Sequence, residues 1–201
     1  MKIKIILSIL IYMNFNLGFS QVDTEINFIS SDSIENYIKV KNLSFENQDI
    51  YVLKNLESFK TYSQGYLKSP VIFVFNADGE YVDLINNVNA EKKLSKFKRI
   101  NNKTSEEYPG LNFWKERISH FESGDLLKDT PVEYTFILNW GLLFGDIENI
   151  EMIDHWYKVL LRQKANGKNI KIVLLNVDLQ KSWNLSPKME KWVLNNVNNQ
   201  I

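Results

Sequence analysis

Residues 170–177, IKIVLLNV, form the stretch that most narrows what this chain can become. Only Lys171 and Asn176 interrupt a wholly aliphatic run. A strand this apolar is stable where both faces of its sheet are covered, so it predicts a position inside a mainly parallel sheet. Residues 134–138, YTFIL, are a second run of strand formers. Between the two, Ile150, Ile153, Tyr157, Leu160 and Leu161 recur at helical spacing, with Glu151, Asp154, Lys158 and Arg162 on the other side. Gly167 follows the last periodic residue and is the expected C-cap. Residues 133–178 therefore read as a βαβ unit with a right-handed crossover.

The other elements are placed by shorter signals. Residues 22–47 are polar, with a short helix around Ile34, Tyr37 and Ile38 opened by Ser31 or Asp32. Residues 50–52 read as a strand that passes into helical spacing at Leu53, Leu56 and Phe59, ending before Pro70. Residues 71–75 and 80–84 flank Asn76-Ala77-Asp78-Gly79 as a β-hairpin. Asn89 opens a short helix bearing Leu94, Phe97 and Ile100. Residues 100–110 are polar, close on Pro109-Gly110 and read as a linker. Leu111, Trp114, Ile118 and Phe121 are spaced for another helix, ended by Gly124. Ser186-Pro187 opens a last helix with Met189, Trp192, Val193 and Val197 as its buried face.

The first twenty residues form a separate class of sequence. Lys2 and Lys4 precede an apolar run too short to span a bilayer comfortably, and Gly18 and Ser20 occupy the small-residue positions of an export cleavage site. Residues 1–20 are expected to be a signal peptide; an uncleaved N-terminal anchor is the alternative. Cleavage removes Lys2 and Lys4 from the 24 basic residues, leaving 22 against 24 acidic ones. Such a balance gives no field to attract nucleic acid. The chain has no cysteine, which excludes a disulfide scaffold and a lipid-anchored lipoprotein. The expectation is an exported, periplasmic or secreted protein of the cell envelope, with no membrane span after cleavage. Residues 21–49 would be a polar segment and 50–201 one α/β domain.

Two pieces of this domain resemble the halves of a thioredoxin-like protein. Residues 134–178 resemble the half with a strand ending in tryptophan (ILNW, Trp140), the active-site loop, a long helix and a strand ending in Val177-Asp178. Residues 50–100 resemble the other half: a strand, a helix, then Ser-Pro opening a hairpin with an Asp-Gly turn (SPVIFVFNADGEYV). The resemblance implies a mixed sheet with a parallel βαβ core and a β-hairpin, flanked by helices, and a cis proline at Pro70 facing the active-site loop. The halves come in the opposite order here, so the match requires a permuted or composite arrangement. The Cys-x-x-Cys that should follow the tryptophan is replaced by Gly141-Leu142-Leu143-Phe144-Gly145-Asp146. Thiol exchange needs a thiolate, so redox activity is absent on this reading.

Candidate chemistry is therefore sparse. Leu142, Leu143 and Phe144 lie between glycines just after Trp140, where loops are ordinarily polar. They read either as residues folded into the core or as an apolar patch for a peptide or protein partner. Trp140, Leu142, Leu143, Phe144, Asp146 and Pro70 make up this expected binding set. Asp146, Glu148, Asp154 and His155 gather near the start of the long helix, as an acid/base or metal set or as an ordinary helix cap with a solvated face. No cofactor is expected: the glycines match neither GxGxxG nor a phosphate loop. The first expectation is a non-catalytic binding or accessory module; the alternative is a cell-envelope enzyme using carboxylate or histidine chemistry near Asp146 and Glu148.

Overall fold

The computed structural model describes residues 27–86, 89–100, 103–142 and 147–198. The expected signal peptide and residues 143–146 lie outside them. In chain order the elements are α1 (Ser31–Val40), β1 (Ile50–Leu53), α2 (Leu56–Ser63), β2 (Val71–Asn76), β3 (Tyr81–Ile85), α3 (Ala90–Ser95), α4 (Leu111–Lys115), β4 (Ile118–His120), β5 (Tyr134–Trp140), α5 (Ile147–Ala165), β6 (Ile170–Asn176) and α6 (Pro187–Asn198). The strands form one six-stranded mixed sheet in the order β3-β2-β5-β6-β1-β4. β5, β6 and β1 are parallel, while β2 joins β5 antiparallel and β3 and β4 close the edges antiparallel. Hairpin and βαβ unit thus share a single sheet.

Strand alternation divides the apolar side chains between two faces. Phe136, Leu138 and Trp140 of β5, with Ile170, Ile172 and Leu174 of β6, join Ile34, Leu94, Ile153 and Tyr157 under α1, α3 and α5. Ile137 of β5, with Val173 and Leu175 of β6, joins Phe59, Tyr62, Trp114 and Val193 under α2, α4 and α6. Both faces being covered is what the apolar runs require.

Local chemistry sets the turns. In the β2–β3 connection the Asn76 side-chain oxygen accepts from the amides of Asp78 (3.1 Å) and Glu80 (2.9 Å), and Gly79 takes φ +77°. Gly167 at φ +84° stops α5 as expected. α1 opens at Ser30, whose oxygen accepts from the Ser33 amide, just before the expected caps.

Three expectations are corrected. The helix expected over 111–121 is only α4, and residues 118–120 form β4 on the exposed edge of β1. On α6, Val193 is buried but Met189 and Trp192 are 42% and 51% exposed, and the Val197 side chain lies outside the described residues. Asp154, placed on the solvated side of α5, is buried: it accepts from the Ser44 amide (2.6 Å) and pairs with Lys158 (2.6 Å). The chain N-terminal to β1 crosses that side of the helix. Within residues 103–110, expected as a linker, Ser105 donates to the Tyr81 carbonyl and the Tyr108 ring packs on Phe73 and Tyr81.

Candidate functional site

The carboxyl ends of parallel strands are where open α/β sheets present loops for binding, and here β5 and β6 end side by side. Trp140 pairs in register with Asn176, and the Val177 amide donates to the Trp140 carbonyl at 2.9 Å. Beyond this last rung the chains diverge, which would leave main-chain groups unpaired in a buried place. Asp178 resolves that problem. It is 2% exposed, and its Oδ2 accepts from the Leu142 amide and from Nδ2 of Asn176, each at 2.8 Å. Asn176 and Gln180 are also buried; Asn176 Oδ1 accepts from the Asp178 amide (3.2 Å) and from Gln180 Nε2 (2.9 Å). Gly141 makes the approach feasible, because a Cβ there would lie 3.0 Å from Asp178 Oδ1 and 3.3 Å from its carboxyl carbon. Glycine is needed at 141 for space.

A second strand end meets the same place. Val71 pairs with Asn139, so continuation of the antiparallel register sets Pro70 opposite Trp140. Asn139, fully buried, donates from Nδ2 to the carbonyls of Tyr66 (3.2 Å) and Lys68 (3.0 Å), and Ser69 Oγ donates to the Asn139 carbonyl at 3.3 Å. The Ser69–Pro70 peptide is cis. Beneath it the Tyr62 hydroxyl is pushed well above the usual phenol range by burial, an effect the adjoining Asn139 amide partly offsets. A neutral phenol and a neutral amide are the stable forms there.

Of the expected binding set, Pro70, Trp140 and Leu142 are thus brought to one place. Pro70 and Leu142 are half-buried. Trp140 is fully buried, its ring 5.0 Å from that of Phe45, so it acts as a core residue under the site and not as a contact surface. Leu143, Phe144 and Asp146 lie outside the described residues. Asn139, Asn176 and Gln180 are not among the expected residues, and Asp178, named in the sequence as a strand end, is not in the expected binding set. A polar residue near the end of each apolar strand was the available signal, since an uncompensated buried amide is costly.

The residues weighed for acid/base work are scattered. His155 is half-exposed on α5, 3.4 Å from Glu91, and Glu148 is exposed in the first turn. His120 Nδ1 accepts from the amides of Glu122 (3.4 Å) and Ser123 (3.3 Å), which assigns the ring hydrogen to Nε2, 3.0 Å from the Asn47 carbonyl. That histidine ties down a turn. Among the described residues no three His, Cys, Asp or Glu side chains converge to hold a metal, and no helix is long and apolar enough to cross a membrane.

A second buried ionisable group lies under α5. Asp49 Oδ2 accepts from the Tyr157 hydroxyl at 2.9 Å, and burial raises the carboxyl pKa despite that bond and the charges of Lys164 and Lys171, with Glu46 also raising it. Tyr157 is likewise raised, by burial first and then by the Asp49 charge. The pair fixes the entry to β1, and the Phe45 ring packs between Tyr157 (5.7 Å) and Trp140 (5.0 Å).

The strand ends can hold a backbone in place and offer it half-buried apolar groups, but they present no thiol, metal set or paired catalytic carboxylates among the described residues. Comparison of the chain with protein-family models, with curated proteins and with solved structures finds no match.

Proposed function

We propose that this chain is an exported, thioredoxin-like α/β protein that binds an extended peptide or protein segment at the ends of β5 and β2, without redox chemistry. The observation that carries the reading is the construction of the turn after Trp140. Where a thioredoxin-like protein would present a nucleophile, this turn is bound through the Leu142 amide to a buried carboxylate, and the chain contains no sulfhydryl. The sheet order supports the resemblance: the hairpin lies antiparallel against β5, and β5 and β6 are parallel through α5, as the two matched halves require if they share one sheet. An extended ligand would find main-chain groups next to Pro70 and apolar contact at Leu142.

Titrating the isotope-labelled full chain with a pool of uncharged, Leu- and Phe-rich decapeptides tests this by NMR. Amide shifts should concentrate at Ser69, Val71, Gly141 and Leu142 and saturate with micromolar affinity. If these amides stay unmoved at millimolar peptide while the fold remains intact, the reading is wrong.

A further inference from the structure

The two sides of α6 meet different surroundings. Val193 is buried and Leu194 half-buried in the core, and Glu190, the only carboxylate of the helix, shares that side. The outward side carries Lys188, Met189, Lys191 and Trp192, all exposed, Trp192 by 51% and Met189 by 42%. Across an open cleft of about 380 Å³ stands the exposed Lys60 of α2, its Nζ 5.7 Å from the centroid of the Trp192 ring. An indole and a thioether thus lie in water among three ammonium groups.

Size and charge decide what such a surface fits. At those exposures the two apolar side chains leave roughly 200 Å² in water, against the about 800 Å² that each partner buries in a stable protein interface. A second copy of the chain needs far more. The cleft is lined by Lys60 and Lys188 and by no carboxylate, and among the described residues no acidic group pairs with Lys60, Lys188 or Lys191. The near-zero net charge of the chain does not oppose this local sign, because at about 0.1 M salt an exposed charge acts over only about 10 Å. Both walls are helices whose main-chain groups are bonded internally, so an extended peptide gains no backbone bond here. A lipid surface needs none: its phosphates meet ammonium groups, and its interfacial layer is where a tryptophan ring settles.

We propose that the outward side of α6 is a membrane-contact surface, on which Trp192 and Met189 enter the headgroup boundary of an anionic bilayer while Lys60, Lys188 and Lys191 face its phosphates. The contact is peripheral and reversible, since two apolar side chains are far from a spanning segment. It is independent of the peptide-binding reading, which concerns the ends of β5 and β2.

The full chain is mixed with vesicles of equal parts phosphatidylglycerol and phosphatidylcholine whose acyl chains carry bromine, which quenches an indole only on contact. The expected signal peptide contains no tryptophan, Trp114, Trp140 and Trp156 are buried, and Trp183 is held by the Leu53 carbonyl at 2.7 Å, so quenching reports Trp192. Emission should fall with these vesicles and stay unchanged in Trp192→Ala. Vesicles of phosphatidylcholine alone, or the double substitution Lys188→Glu and Lys191→Glu, should require at least about thirtyfold more lipid for half-quenching. Vesicle binding without quenching, quenching that persists in Trp192→Ala, or equal quenching by the neutral vesicles overturns the proposal. Emission that responds to a Glu- and Leu-rich decapeptide and not to vesicles also overturns it, and makes the patch a protein-binding one.

Discussion

Asp178 takes two hydrogen bonds, one from the part-buried Leu142 amide and one from the buried Asn176 side chain, and removing it takes their acceptor from both. Asp178→Ala should therefore lower stability by about 2–3 kcal/mol in chemical denaturation, the usual range for losing bonds to a buried charge. Gly141→Ala reaches the same network from the other side. The added methyl meets a carboxylate at 3.0 Å, so a loss of about 1–3 kcal/mol is expected, with faster hydrogen exchange at the Leu142 amide. Asp49 gives a prediction with a pH sign. Its folded pKa lies above the ordinary carboxylate value, so its contribution is fully present below that value and is lost as pH rises through the folded one. Asp49→Asn keeps an acceptor for the Tyr157 hydroxyl without the buried charge. It should melt higher than wild type at about pH 7.5, and that advantage should shrink towards about pH 4; an advantage that grows on acidification would contradict the assignment.

At the scale of elements, β5, β6, α5 and the hairpin were legible because each carries its own periodicity, bounded by its own stop signals. The apolar runs of β5 and β6 can be satisfied only inside a covered sheet, and Asp78-Gly79 only by a tight turn. What failed was decided by neighbours. Leu111, Trp114, Ile118 and Phe121 fit a helix, yet β1 would then present an unpaired edge. Residues around 118–120 instead fill it, with the Lys54 amide donating to the Arg117 carbonyl at 2.8 Å and Phe121 to that of Ile50 at 3.3 Å. On α6 the spacing of Met189, Trp192 and Val193 could not reveal which side would dock, because helix propensity is indifferent to rotation about the axis. Val193→Ala should cost about 1–3 kcal/mol, whereas Met189→Gln, at an exposed position, should change the unfolding free energy by less than about 0.5 kcal/mol. The candidate site was legible in place but not in composition: the loop after Trp140 drew attention for its glycines and apolar residues, while the groups that organise it come from the end of β6. Nothing local in Asn176 or Asp178 announces that they will face a turn more than thirty residues earlier in the chain, a separation of 36 for the Leu142 bond.

For the whole molecule, a sheet covered on both sides with β5 and β6 at its centre predicts a gradient of local stability. Amides of β5 and β6 should exchange most slowly with solvent deuterium and those of β3 and β4 fastest among the strands; uniform protection would contradict the topology. The segment ahead of β1 adds a different property. Its amides at Ser44 and Glu46 bond Asp154 and the Tyr157 hydroxyl, and Asp49 accepts from that same hydroxyl, so one side of α5 already has an occupant from its own chain. An outside competitor for that side would contend with a covalently tethered rival at an effective concentration of about millimolar, and a weak intermolecular grip there would never register.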